Sequence, residues 1–212
     1  SVWDLAFGRM ATGSLVLAGV AVATGAKLPD RRHWPALAAV GVVGFAVYPV
    51  LLNLGQRSVE AGTASFIINA TPAIAAFMAV LFLKERFTRA GFAGIAVSLG
   101  GVLLIILSGG KQVALTISWG AVILLLAAVA HAAHFVMKKA TLQSVTAFQV
   151  TAVSMWAGTI ALSPFGPGAV ASISSASPEV IGSLLYLGVC CSAIGYLTWA
   201  YVLKHASAAM TS

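Results

Sequence analysis

Seven stretches of about 20 apolar residues, near 2–25, 34–55, 60–83, 90–109, 118–137, 147–165 and 180–203, leave this chain one environment in which to fold. A helix needs about 20 such residues to cross a hydrocarbon core of about 30 Å. The stretches are too long, and alternate too little, for the tilted strands of a membrane barrel. In lipid every backbone N–H and C=O has to be satisfied within the protein, so a bundle of α-helices remains. Composition agrees. Charged residues make up 8% of the 212 positions and apolar residues 60%, with a mean hydropathy of +0.99. A water-soluble domain carries roughly 25% charged residues. The chain reads as an all-α polytopic membrane protein with seven transmembrane helices.

The basic residues orient it. Lys27, Arg31 and Arg32 follow the first stretch, Lys84, Arg86 and Arg89 the third, Lys138 and Lys139 the fifth, and Lys204 the seventh. The alternate loops hold only Arg57 and Lys111. By the positive-inside rule the rich side is cytoplasmic. The expectation is an inner-membrane protein with residue 1 outside and the loops at 27–32, 84–89 and 138–139 in the cytoplasm. The net charge of +7 then orients the protein and implies no nucleic-acid partner. Cys190 and Cys191 are adjacent within a span, which argues against a structural disulfide. The chain opens Ser1-Val2-Trp3-Asp4, with no basic segment of a signal peptide.

A repeat lies beneath the spans. Sliding the chain by 147 residues sets Gly41 on Gly188, Ala46 on Ala193, Arg57 on Lys204, Ala61 on Ala208 and Ser65 on Ser212. The second stretch thereby matches the seventh, five spans later, and an odd offset inverts the second copy. Inverted repeats let two antiparallel halves exchange conformations around a midplane site. Residues 1–112 are expected to form a first copy lacking its first helix, and 113–212 a second lacking its last two. One helix before residue 2 and two beyond 203 would complete a ten-helix, 5+5 molecule.

Ala64 to Ile106 resembles the signature half of the EamA-type carriers of the drug/metabolite transporter superfamily. That signature has a small-residue helix start, a mid-helix proline and a Gly-Glu-Arg-hydrophobic-Thr turn, followed by a Gly-Ile helix ending in Gly-Val. Here these are Pro72, Glu85-Arg86-Phe87-Thr88, Gly94-Ile95 and Gly101-Val102, with Lys84 in place of the turn's usual glycine. Arg9 matches an arginine early in the family's second helix, Trp34 an aromatic opening its third, and Trp119-Gly120 resembles the start of the second copy. The resemblance implies a ten-helix secondary carrier, with no cofactor, exporting amino acids or related metabolites.

Asp4, Asp30, Glu60, Glu85 and Glu179 all lie at span ends or in loops, so no carboxylate is available at the midplane for a proton relay or a sodium cage. Ionisable groups inside a membrane are costly and mark function by default. His131 and His134, spaced i,i+3 in the fifth span, are the strongest candidates. Their imidazoles could titrate in a substrate cavity, or hydrogen-bond to neighbouring helices. A metal site lacks further ligands at a recognisable spacing. Ser192, Tyr196 and Trp199 form an i,i+4,i+7 stripe able to stack a substrate, although Trp199 is also close enough to Lys204 to belong to an interfacial belt. Tyr48 and Asn69 are further deep polar groups; Pro72 frees a backbone carbonyl near position 68, at a cavity wall or a packing kink. Arg9 either snorkels outward or meets a substrate carboxylate. Such a cavity favours neutral or zwitterionic substrates over polycations. Small-residue pairs, Ala90/Gly94 and Ala96/Gly100, suit close helix packing, and in this family a homodimer contact. A membrane enzyme would need clustered acids, a metal set or a nucleophile–base pair, none of which is spaced here. A purely structural subunit would not need the inverted symmetry.

Overall fold

The computed structural model describes residues 2–84 and 119–205, together with eight helical positions scattered between 91 and 104. The expected fourth span at 90–109 and the turn at 85–89 lie largely or wholly outside the described residues. So does the end of the expected repeat match, at 206–212. Every described element is helical. They are α1 (Val2–Thr24), α2 (Trp34–Gly41), α3 (Tyr48–Gly55), α4 (Ala61–Ile68), α5 (Thr71–Leu83), α6 (Trp119–Thr141), α7 (Ala147–Ala161), α8 (Gly166–Ser174), α9 (Pro178–Tyr186) and α10 (Gly195–His205). Wider, π-helical turns join α2 to α3 at Val42–Val47 and α9 to α10 at Leu187–Ile194.

Among the described residues five stretches are long and apolar enough to cross a membrane: Trp3–Thr24, Arg31–Gly55, Ala61–Leu83, Trp119–Thr141 and Pro178–His205. Each coincides with an expected span. Their outer faces belong in lipid, since Val22 is 85% and Trp119 79% exposed, and water would not tolerate so much contiguous apolar surface. The chain is a polytopic, all-helical membrane protein. The stretch expected at 147–165 is carried by α7, whose regular helix ends at Ala161 after 15 residues. At about 1.5 Å per residue that is only about 22 Å. The breakers are Pro164, Gly166 and Pro167, which turn the chain through Ser163–Phe165 into α8.

Local chemistry sets the other boundaries. Thr146 and Gln149 form a capping box at the start of α7, satisfying two otherwise orphaned N–H groups. Pro72 divides α4 from α5. Without an N–H it cannot reach the carbonyl of Ile68, which instead accepts the Thr71 hydroxyl at 2.6 Å. Thus the carbonyl expected to be freed near position 68 is capped by the first residue of the next helix. Lys84 ends α5 in the left-handed region, φ 56° and ψ 30°, with its N–H donating to the Ala79 carbonyl. That conformation suits glycine, which explains why the family turn favours glycine at this position. Lys138 and Lys139, expected in a loop, are in the last turn of α6; the helix persists to Thr141 because Ala140 and the lysine stems continue it without a breaker.

The chain forms two compact units, Ser1–Ala46 with Thr141–His205, and a second within Val47–Ala140. Each draws helices from both halves of the sequence. The first unit packs α1 against α7, α8 and Leu187–Ile194, with α2 and α10 also on α7. Met10, Leu17, Phe45, Met155 and Leu162 are in its core. Its helices meet backbone to backbone at glycines. A Cβ on Gly41 would collide with the Ser154 carbonyl oxygen, and one on Gly188 would lie 2.5 Å from Thr12 Cβ. In the second unit, Ala64, Ile67 and Ala75 of α4 and α5 meet Ala121, Leu124 and Ala128 of α6. Gly55 and Gly120 close that contact, since a Cβ on Gly55 would lie 2.6 Å from Leu124 Cγ. Small residues at such crossings let helices gain dispersion contacts that lipid alone does not provide.

Candidate functional site

In the second unit the histidines of α6 belong to a ring cluster. The His131 imidazole stacks face to face on the Tyr48 ring, with centroids 4.0 Å apart and planes 7° from parallel. Phe135 lies 4.5 Å from it and His134 6.5 Å. Tyr48 reaches this place because it opens α3 immediately after the widened turn Val42–Val47. Nδ1 of His131 is enclosed without a hydrogen-bond partner. A buried polar atom left so costs roughly 1–3 kcal/mol, and such an atom calls for an explanation. His134 is only 2% exposed. Asn69 is exposed at the break between α4 and α5, where its N–H donates to the Ser65 carbonyl.

The same face of α6 carries a residue that sequence reasoning left in a loop. Lys138 is 1% exposed, seven residues after His131 and four after His134. Helical spacing was the signal that could have found it, because i, i+3 and i+7 recur on one face.

In the first unit a second group surrounds Tyr196. Its ring meets Phe45 edge to face at 4.9 Å, its backbone carbonyl accepts the Thr151 hydroxyl at 3.4 Å, and Arg9 is within electrostatic reach of its hydroxyl. Nε of Arg9 is enclosed without a partner. A guanidinium nitrogen donates and does not accept, so this atom is a donor inside a membrane span. Trp199, one turn beyond Tyr196, is half-buried. Ser192, the remaining member of the expected stripe, is buried and donates to the Leu187 carbonyl at 2.9 Å, which removes its hydroxyl from the stripe. Trp156 points into the core of this unit and donates from Nε1 to the Ser14 carbonyl at 3.1 Å.

The described acids lie at helix starts or in loops. Asp4 and Glu179 are in the first turns of α1 and α9, Glu60 precedes α4, and Asp30 is exposed; Glu85 lies outside the described residues. Each cluster therefore combines aromatic surface with a few nitrogen donors, a chemistry for holding small organic molecules that carry acceptor groups.

The chain is similar to known proteins over most of its length. The EamA-like transporter family matches over residues 1–107 and again over 118–212. A protein of Streptantibioticus cattleyicolor described as a probable terminal-alkyne amino-acid exporter is 36% identical over 211 residues, covering 100% of this chain and 70% of that protein. The uncharacterized transporter YdfC of Bacillus subtilis is 36% identical over 199 residues, 93% of this chain and 64% of its own length. An uncharacterized transporter of Archaeoglobus fulgidus is 30% identical over 188 residues, 87% and 66% of the two chains. The sequence thus spans about two-thirds of the length of these relatives. With the family matched over nearly all its residues and its relatives transporters rather than enzymes, this chain belongs to the EamA-like transporter family.

Proposed function

We propose that the protein is a secondary carrier that exports an amino acid or a related small metabolite across the inner membrane by alternating access. Its substrate contacts are His131, His134, Tyr48 and, more peripherally, Asn69 in one unit, and Arg9, Tyr196 and Trp199 in the other. The observation that carries the reading is the enclosed, unpartnered Nδ1 of His131 on a ring stacked against Tyr48. A polar group of a ligand would satisfy that atom, a carboxylate or carbonyl where Nδ1 carries the ring proton, while the paired rings accept an apolar side chain. In the other unit Nε of Arg9 is likewise enclosed without a hydrogen-bond partner. The described relative named for exporting an alkyne-bearing amino acid supports both the substrate class and the direction.

The carrier frame is a ten-helix, 5+5 inverted repeat with copies at 1–112 and 113–212, residue 1 outside and the basic loops cytoplasmic. Support comes from geometry that the sequence offset did not require. Val42–Val47 shifted by 147 residues falls inside Leu187–Ile194, so both matched spans widen at the same register. The matched glycines Gly41 and Gly188 are both points of backbone crossing. The double match of the family supports two copies as well. Among the described residues nothing lies within 4 Å of a Cβ on Gly94 or Gly100, which supports a small-residue face for a second copy of the chain.

Counterflow in proteoliposomes of the full chain tests the proposal. Preloaded aliphatic amino acids should accelerate uptake of labelled substrate above protein-free vesicles, and His131→Phe should lower the rate about tenfold or flatten its pH profile. No acceleration with amino acids, small carboxylates or amines would remove the carrier reading. An unchanged rate and pH profile in His131→Phe would remove the histidine from the site.

A further inference from the structure

The last turns of α10 and the start of α7 frame an open cavity of about 590 Å³ in the first unit. It lies at the end of the membrane-crossing stretch Pro178–His205, where hydrocarbon gives way to headgroups. Phe148 and Leu197 are its apolar lining, and Thr198, Tyr201, Lys204 and His205 bring its polar groups. At roughly 30 Å³ per water-sized occupant, it has room for about twenty non-hydrogen atoms. That is the size of a glycerophosphate headgroup with its ester groups, the chains remaining outside.

Two of the polar groups are oriented by contacts with the backbone. Lys204 Nζ donates to the Val145 carbonyl at 3.4 Å, which draws the ammonium back over the start of α7. An ammonium has three donors and no acceptor, so a bond to one carbonyl leaves two for a ligand. Nδ1 of His205 is 2.8 Å from the Tyr201 carbonyl oxygen. A carbonyl only accepts, so the ring proton is on that nitrogen, and Nε2 of the neutral ring is an acceptor. Ile194, Thr198, Tyr201 and His205 follow one another at i, i+4, i+7 and i+11, on one helical face, and all four are exposed. That face is aliphatic at Ile194 and becomes polar and basic toward His205. A phospholipid passes from chain to headgroup in the same order.

We infer that this cavity holds the headgroup of an anionic glycerophospholipid of the phosphatidylglycerol type. The phosphate is on Lys204, the headgroup hydroxyls are between Thr198 and His205, and an acyl chain runs along Tyr201 and Ile194. The lysine and the phosphate form a charge-assisted hydrogen bond, and basic groups at this level of a membrane attract anionic lipids. Phosphatidylcholine fits less well, because its trimethylammonium is repelled by Lys204 and has no donor for His205. A free phosphate would have to leave water for one ammonium, whereas a lipid is already at this depth and adds its chain to the contact. The site shares no lining residue with the His131 and Tyr196 clusters and does not depend on the transport reading.

Native mass spectrometry of the full chain in dodecyl maltoside tests this, with dioleoyl-phosphatidylglycerol and dioleoyl-phosphatidylcholine added as probes. The first phosphatidylglycerol should bind at least tenfold more tightly than phosphatidylcholine. Lys204→Gln should remove that preference while leaving phosphatidylcholine unchanged. Thr198→Trp, which fills the cavity from α10, should weaken phosphatidylglycerol at least tenfold, with helicity and melting temperature retained. Lys27→Gln, an exposed basic residue outside the cavity, should have no effect. Equal binding of the two lipids overturns the site, as does wild-type preference in Lys204→Gln or Thr198→Trp. An equal loss in Lys27→Gln also overturns it, because net charge and not the cavity would then select the lipid. Displacement of phosphatidylglycerol by millimolar inorganic phosphate would reassign the cavity to a free anion and end the lipid reading.

Discussion

The two widened turns, Val42–Val47 and Leu187–Ile194, have matching places in the chain and different means of support. In the second, Ser192 reaches back to the Leu187 carbonyl, so a side-chain hydrogen bond clasps the enlarged turn. At the matched position in the first stands Phe45, whose ring packs edge-on against Tyr196. One turn is held by a directional bond and the other by aromatic packing. Each is followed by a tyrosine, Tyr48 in one case and Tyr196 in the other, and each of these sits in a candidate cluster. What the two regions share is therefore backbone geometry, a glycine crossing followed by extra width, while the chemistry has diverged. π-Helical turns are frequent at functional sites, and here each is followed by a tyrosine that belongs to a candidate cluster.

The largest effect should come from the glycines that bring those turns against their neighbours. In Gly41→Ala the new Cβ meets the backbone oxygen of Ser154, which cannot rotate away, whereas in Gly188→Ala it meets the Thr12 side chain. Overpacking costs about 1–3 kcal/mol and occasionally more. Gly41→Ala should lie at or above the top of that range and Gly188→Ala within it, measured by unfolding of the purified protein in detergent. Gly62→Ala, with nothing within 4 Å of its Cβ, is the control and should not destabilise. If Gly41→Ala melted like the wild type, the crossing would be loose and the comparison would lose its first half.

Much of this was legible in the sequence. Five spans are plain from length and hydropathy, and the histidine spacing locates the ring cluster. The widened turns were not. Val42–Val47 is apolar throughout, so one extra residue in a turn leaves no mark on the hydrophobic pattern. The partners of the glycines were equally hidden, because sequence shows that a residue is small and not what approaches it. Lys138 was misplaced because charge was taken as a sign of a loop, although its stem continues α6 and its spacing matches the histidines. Tyr48 was singled out as polar, yet its importance lies in the ring it offers to His131.

The tyrosines sharpen the comparison by function. Tyr48→Leu removes the ring stacked on His131, and transport in proteoliposomes should fall about tenfold, equivalent to about 1.4 kcal/mol. Tyr196→Leu loses the contacts with Phe45 and the neighbourhood of Arg9. It should alter selectivity between amino acids and their uncharged amides more than the maximal rate. Equal loss of rate in both variants, with selectivity unchanged, would show that the two tyrosines serve packing alone. A smaller effect is expected at Ser192→Ala, which removes the clasp on the second turn. A net intramolecular hydrogen bond contributes about 0.5–1.5 kcal/mol, so the unfolding free energy should fall by that amount. Faster hydrogen exchange is expected at 187–194, with 42–47 unaffected. Exchange slowing at either segment would break the distinction between a clasped and a packed turn.

The smallest effect tests the same principle, geometry kept while residue type changes, at a site away from both turns. Lys84 closes α5 at φ 56°, where an L-residue with a Cβ is disfavoured by roughly 1–2 kcal/mol. Glycine removes that strain but loses about 0.5–1 kcal/mol through the greater freedom of the unfolded chain. Lys84→Gly should therefore stabilise the protein by about 0.5–1 kcal/mol, Lys84→Ala should be nearly neutral, and Lys84→Val should destabilise because a β-branched side chain crowds the left-handed region further. Detergent unfolding of the three variants measures the order directly. A destabilised glycine variant would mean that the lysine side chain itself holds the helix end, and that the departure from the family glycine has a local benefit exceeding its strain.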